Sequence, residues 1–435
     1  MGRCPEYPVQ RESEERPKTR IVVTGMGAIT PLGLNVADFW KNLIAGKSGL
    51  SNIELPYTKI KVAGIIPDFK PEVSLSGLVP LKDIKRLSRP VQFSIAAAFE
   101  ALLDAGLLNE LRKISEKIDL TRFGTIIGTG IGGAVDIIDA KDKLDRGEED
   151  VKPSDLFRSE PERVATAVSM IFGLKGPLQA PTAACATGNI AAANGFNEIR
   201  LGNADLMVVG GSEACLHGVT LSLFESANAL SLKPDPNEAS RPFDKARSGF
   251  VMSEGAGIYV LESLEHAKKR NARIYAEFLG YGNTADAFHD TTPSKDGQRR
   301  ALRLAVRSIK DLDKHRIYIN AHGTGTPPGD PVEISGIREE FSEIMDNVVG
   351  ISSIKGGIGH TVGAAGAIES IACIKAINEG IIPPTRNLEN QIEEADGVNL
   401  VPNDAQQTNG VDVVIKPSFG FGGINSVLVF KRFEE

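Results

Sequence analysis

Three residues of this 435-residue chain could do chemistry together. Cys185 stands in "PTAACATGNI", His322 in "NAHGTGTPPGD" and His360 in "SSIKGGIGHTVGAAGA". A thiol at a strand-to-helix turn faces unpaired backbone N–H groups and the positive end of the helix dipole, and both favour thiolate. A free cysteine is also often a small buried hydrophobe, so the histidines have to decide. Each follows an apolar run and sits beside glycines, where α/β proteins place reactive groups. Thiol plus imidazole suits covalent acyl transfer. A second imidazole adds a donor for a developing oxyanion or enolate. His266 and His315 lie among charges and read as surface residues, while His217 and His289 have no assigned place. Neither HExxH nor CxxC occurs, so no metal site is expected.

Other motifs fall short of their chemistry. "GTGIGG" sets Gly128, Gly130 and Gly133 after a strand, as in a dinucleotide-binding oxidoreductase. That fingerprint also needs a short helix, a second strand and an acidic residue about 20 positions on. Here the charged run "DAKDKLDRGEEDVKPSD" follows instead. "GMGAIT" has Thr30 where the third glycine belongs. "GKS" has Lys41 at the first glycine of a phosphate loop, and "GGSEA" ends in Ala214 where a nucleophile elbow needs glycine. All read as turn chemistry.

The elements that must position Cys185, His322 and His360 alternate. From Arg20 the chain reads strand, Gly-rich turn and helix, repeated: "RIVVTGMGAITPLG", "NVADFWKNLIAG", "PVQFSIAAAFEALLDAG", "RFGTIIGTGIGG" and "ADLMVVGG". The alternation restarts near residue 273 and closes with "VDVVIKPSFGFGG" and "NSVLVFKRF", two β-rich runs around a glycine turn. Alternating β and α with continuous apolar strands predicts a parallel-rich α/β architecture. The restart divides it into halves over 20–273 and 274–435, after a polar tail over 1–19 that is expected to be disordered.

A net charge of −7 excludes general affinity for nucleic acid or an anionic membrane, so an acidic partner would need a local basic patch. "PLKDIKRLSRP" supplies one, with Lys82, Lys85, Arg86 and Arg89. Four cysteines without paired spacing fit a reducing compartment. No apolar run is long enough to span a membrane and the N-terminus has no hydrophobic signal core. The expected location is the cytoplasm, or an organelle if the tail is a processed remnant.

"PTAACATGN", "NAHGTGTPPGDPVE", "SSIKGGIGHTVGAAGAIES" and "SFGFGGINSVLVF" resemble the signature blocks of elongating β-ketoacyl-[acyl-carrier-protein] synthases, ketoacyl synthase II above all. The similarity runs from about Arg20 to Arg432 and keeps the blocks in order. It implies the thiolase fold, with two βαβαβαββ halves forming a five-layered αβαβα core. It also implies decarboxylative condensation of malonyl-carrier protein with a Cys-bound acyl chain in fatty acid elongation. By resemblance Cys185 is the nucleophile, His322 and His360 complete a Cys-His-His triad, and Lys355 supports the second histidine. The Cys185 and Phe421 N–H groups would form an oxyanion hole, with Phe421 as an acyl gate. Thr324 and Thr326 would hold the pantetheine arm, and Ile131 and Phe224 would lie near the acyl pocket. The basic run would dock the acyl carrier protein, which brings its own phosphopantetheine, so no cofactor is needed. Glu369 matches a residue near a structural monovalent cation, and a homodimer is expected. Gly356–Gly357, Ser253–Glu254 and a short stretch between Thr292 and His322 depart from the pattern. Within the family the alternatives are a polyketide or specialised ketosynthase and a non-catalytic chain-length partner. Such partners usually lack the cysteine.

Overall fold

A computed structural model of the chain describes residues 19–147, 151–307 and 309–435. Cys4 and nearly all of the tail expected to be disordered lie outside them. Ten strands form one continuous sheet: β1 (Ile21–Ile29), β2 (Phe123–Gly128), β3 (Leu178–Gln179), β4 (Leu206–Glu213), β5 (Gly255–Ser263), β6 (Ala276–Ala285), β7 (Ile317–Asn320), β8 (Val348–Ser352), β9 (Val413–Gly420) and β10 (Ile424–Lys431). Their order across the sheet is β8-β7-β9-β10-β6-β1-β5-β4-β2-β3. From the β6–β1 seam outward, each side runs first, fifth, fourth, second, third in its own chain order. The sheet is therefore two copies of one topology joined edge to edge.

The expected parallel-rich sheet is corrected to a mixed one. Only the outer strands pair in parallel, β8–β7–β9 on one side and β4–β2–β3 on the other. The inner pairings, from β9–β10 across to β5–β4, are antiparallel. Periodicity could not reveal this, because a strand buried on both faces reads as an unbroken apolar run whichever way its neighbours point.

Helices complete the layers: α1 (Arg89–Asp104), α2 (Arg163–Phe172), α3 (Thr187–Arg200), α4 (Lys295–Val306), α5 (Gly329–Glu340) and α6 (Ala365–Glu379). α1 and α2 cover the first half through Phe93, Ala97, Val164 and Val168. α4 and α5 cover the second through Ala301, Leu302, Ile334 and Ile337. Between the halves lie α3 and α6, whose Ala191–Ala193, Phe196, Ile368 and Ile371 share one core cluster with residues of β1, β4, β9 and β10. Their small side chains let the two helices meet closely. A Cβ at Gly188 would stand 2.7 Å from the Ala367 N atom. That crossing brings the start of α3 beside the start of α6, close to Cys185 and His360 in sequence.

Candidate active site

Each central helix is entered through a 3₁₀ turn, Ala184–Ala186 before α3 and Val362–Ala364 before α6. Each turn holds an alanine or valine in the left-handed region, Ala184 at φ 45° and Val362 at φ 44°. Such strain persists where surrounding structure enforces it, commonly at functional sites. Thr187 enforces it at Ala184: its hydroxyl accepts from the Ala183 N–H (2.8 Å) and donates to the Ala184 carbonyl (2.7 Å). Cys185 follows Ala184 directly. His322 lies just beyond β7, and His360 precedes the second turn by two residues.

The Cys185 sulfur and one nitrogen from each histidine lie within 4.8 Å of one another, and all three residues are buried. They line a cavity of about 160 Å³ with Thr324, Thr326, Phe419 and Phe421. The histidine rings meet edge to face at 5.3 Å, and Phe250 backs His360 at 5.0 Å. His322 Nδ1 and both ring nitrogens of His360 are buried without a partner. Buried polar atoms are normally satisfied, so these nitrogens have hydrogen-bonding capacity that no protein group uses. Backbone contacts fix both loops. Glu333 accepts from the N–H groups of His322 and Gly323 at 2.6 and 2.7 Å, and His360 N–H donates to Val251 O at 2.7 Å.

Burial governs the site's electrostatics. It pushes the Cys185 thiol up to about 12, against the opposing pull of Lys355. The expectation that the helix end alone makes a resting thiolate is thus corrected. The 3₁₀ turn buries the sulfur, and desolvation outweighs the helix dipole. Burial, assisted by the Lys355 and Lys416 ammonium groups, holds both histidines well below their ordinary range and so neutral at pH 7. Buried Glu333 and Glu213 are both raised to about 7 by desolvation.

Lys355 is placed differently from the resemblance. Its ammonium donates to the backbone oxygen of His322 at 2.6 Å and to Glu369 Oε1, and makes no bond to the His360 ring. It therefore supports the first histidine's loop. Glu369 in turn faces a second buried ammonium, Lys416 Nζ, 2.7 Å from Oε2, as an ion pair whose angle is not that of a hydrogen bond. With ammonium groups against both oxygens, Glu369 does not fit a monovalent metal ion as well. Nothing singled out Lys416 beforehand; a lysine inside the apolar run "VDVVIKPSF" was the available signal.

Phe421 sits in the turn between β9 and β10, half-buried, with Gly422 and Gly423 at φ 81° and 74°. Its ring stacks on Phe224 at 6.4 Å, and both join Ile131 against an apolar cluster containing Cys215, Leu230 and Met252. Ile131 and Phe224 lie in that cluster rather than on the cavity wall. A Cβ at Gly420 would come 3.4 Å from the Cys185 N atom, so this turn packs on the Cys185 loop. Thr324 and Thr326 share a hydroxyl contact of 3.0 Å. His289, unassigned by sequence, lines the cavity and accepts from the Thr291 and Thr292 N–H groups, both at 3.1 Å.

One further expectation changes. Arg89 is clamped by Glu254, at 2.7 and 2.6 Å, leaving Lys82, Lys85 and Arg86 as the exposed part of the basic run. Arg86 also meets Asp83 at 3.0 Å. The departure at Ser253–Glu254 thus has a structural partner in the docking segment. In "GTGIGG" the Gly130 N–H, which a pyrophosphate would need, donates to Glu213 Oε2 at 2.7 Å.

Comparison with known proteins agrees with this architecture. The profile described as beta-ketoacyl synthase, N-terminal domain, matches residues 18–267, and that of the C-terminal domain matches residues 275–389. The chain is 40% identical over 423 residues to 3-oxoacyl-[acyl-carrier-protein] synthase 2 of Vibrio cholerae, covering 95% of this chain and 99% of that one. The synthase of the same name from Staphylococcus aureus is 39% identical, with 95% and 99% covered. Among solved structures, a type II polyketide ketosynthase in complex with its acyl-carrier protein superposes with a TM-score of 0.86 at 32% identity, covering 96% of this chain and all of that one. A beta-ketoacyl synthase from Burkholderia phymatum gives 0.86 at 31%, with the same coverage. The two matching halves are those of the thiolase fold. The chain belongs to the β-ketoacyl synthase family.

Proposed function

We propose that this protein is an elongating 3-oxoacyl-[acyl-carrier-protein] synthase, and that its Cys185–His322–His360 cluster carries the reaction. The observation behind this reading is that one thiol and two neutral imidazoles, three of whose nitrogens lack partners, share one buried cavity. An acyl thioester reaches Cys185 on the carrier protein's phosphopantetheine arm, with Thr324 and Thr326 along its route. Because the resting thiol is protonated, attack needs its proton to pass to a neutral imidazole. The sulfur adds to the acyl carbonyl, the Cys185 and Phe421 N–H groups hold the oxyanion, and the pantetheine sulfur leaves with the proton.

Malonyl-carrier protein then binds. Its carboxylate C–C bond breaks, CO2 departs, and the bonding electrons form an enolate. Neutral His322 and His360 donate ring N–H bonds to that oxygen, stabilising charge that exists only as the bond breaks. The enolate carbon attacks the Cys185 thioester, and the thiolate leaves and takes one proton from solvent water, the proton that the overall reaction consumes. Lys355 positions His322 through its backbone. Ile131 and Phe224 line the acyl side behind Phe421. The reaction as written uses no nucleotide or metal.

The acyl carrier protein is the partner in this reading, docking at Lys82, Lys85 and Arg86. The homodimer and cytoplasmic location follow the family; no helix among the described residues is long and apolar enough to cross a membrane. Presence of Cys185 supports a condensing enzyme over a non-catalytic partner. Identity near 40% to the 3-oxoacyl-[acyl-carrier-protein] synthases, against 32% to the polyketide ketosynthase, supports the elongating reading. The test is to supply acyl- and malonyl-carrier protein together. Equal yields of 3-oxoacyl-carrier protein and CO2 support the reading, and CO2 without condensation product contradicts it.

A further inference from the structure

Lys416 and Glu369 have surroundings unusual for a protein interior. Lys416 lies on β9 with 0% of its surface exposed, and Glu369 on α6 with 1%. Around the Lys416 ammonium stand three oxygens: Glu369 Oε2 at 2.7 Å, Ser418 Oγ at 3.1 Å and the Pro417 carbonyl. An ammonium brings three donors and a single positive charge to such a shell. A hard metal cation prefers the same oxygen donors. The other Glu369 oxygen binds Lys355, which continues to the His322 backbone. The Lys416 carbonyl accepts from Asn189 Nδ2 at 3.0 Å, tying β9 to α3 four residues beyond Cys185. Lys416 thus stands where the helix of the nucleophile, the helix carrying Glu369 and the strand leading to Phe421 meet. Burying this many charges is costly unless each is matched, so the arrangement calls for a reason.

We propose that the Lys416 ammonium is a built-in substitute for an alkali-metal ion at Glu369, and that it positions the Lys355–His322 contact without a bound metal. Lys416 is a positioning residue here: it acts through Glu369 and its own strand and touches no reacting atom. A cation supplied by the chain cannot be diluted away, so loop order stays independent of the salt present.

The test compares wild type with Lys416→Ser, which opens a small oxygen-lined space beside Glu369, and with Lys416→Met, which fills the space without charge. Wild-type melting temperature should be the same in potassium, rubidium or choline chloride at equal ionic strength, and rubidium-soaked crystals should show no anomalous peak beside Glu369. In Lys416→Ser, potassium or rubidium should raise the melting temperature by roughly 2 °C per tenfold increase in concentration. Choline should do nothing, and a rubidium peak should appear near Glu369 Oε2. The same ions should restore condensation in Lys416→Ser but not in Lys416→Met. A rubidium peak beside Glu369 in wild type, or saturable potassium stabilisation of wild type, would overturn the proposal. So would a Lys416→Ser protein as active and stable in choline as wild type. If Lys416→Ser does not fold, the wild-type melting and diffraction results still decide. The rate readout rests on the reaction proposed above, whereas melting and diffraction do not.

Discussion

Replacing His360 by alanine should separate the two chemical steps. Both ring nitrogens of His360 are buried without partners, so alanine breaks no hydrogen bond. The ring's neighbours are Phe250 at 5.0 Å and His322 at 5.3 Å, while the backbone bonds to Val251 and Ser253 survive. A buried ring cut to alanine leaves a cavity that costs a few kcal/mol. Removing two unsatisfied buried nitrogens offsets about 1–3 kcal/mol of that. The expected net loss of stability is therefore only about 1–2 kcal/mol. For decarboxylation the loss is larger, because removing one donor to a developing charge costs about 2.7–4 kcal/mol, or 10²–10³ in rate. Transfer of an acyl group to Cys185 should suffer less, since backbone N–H groups hold its oxyanion and His322 can still take the thiol proton. His322→Ala should behave alike, because its bonds to Glu333 and Lys355 use main-chain atoms. Release of CO2 from malonyl-carrier protein and single-turnover acylation measure the steps separately. Equal loss in both, or unchanged decarboxylation, would refute this division of labour.

Other outcomes follow from the same geometry. Alkylation of Cys185 by iodoacetamide should rise tenfold per pH unit through about pH 10, because a thiol raised to about 12 gains thiolate throughout that range; a plateau near pH 7 would show a resting thiolate. Phe421→Ala, at a half-buried ring, should cost less than the roughly 3–5 kcal/mol of a core phenylalanine while changing discrimination between acyl and malonyl donors. A large melting loss with unchanged discrimination would make Phe421 a packing residue. Charge reversal at Lys82, Lys85 and Arg86 should raise KM for carrier-protein substrates but not for pantetheine thioesters, with added salt reproducing the defect. Equal effects on both substrates would remove the docking role.

The clustered residues could be singled out because each is marked by its neighbours: glycines and a preceding apolar run at His322 and His360, small residues at Cys185. The alternation restarts near 273, and the sheet repeats one strand order on its two sides. Strand direction was not legible, because burial on both faces erases the alternation that would report it. Nor did local sequence reveal that Cys185 is buried against the desolvating interior. That depends on tertiary packing, such as Gly188 meeting Ala367 of a distant helix. Arg89 reads as one more charge in a basic run, and only Glu254, brought to it by the fold, withdraws it. Lys355 and Lys416 show the same limit: a lysine in a strand or beside a glycine pair does not announce which carboxylate it meets.

The most direct test of the account is to map the covalent acyl-enzyme. After incubation with an acyl-carrier protein, digestion and mass spectrometry should find the acyl mass on the peptide containing Cys185, and Cys185→Ala should carry none and make no 3-oxoacyl product. Acyl mass on Cys215 or Cys373 instead, or condensation by Cys185→Ala at the wild-type rate, would contradict the central claim.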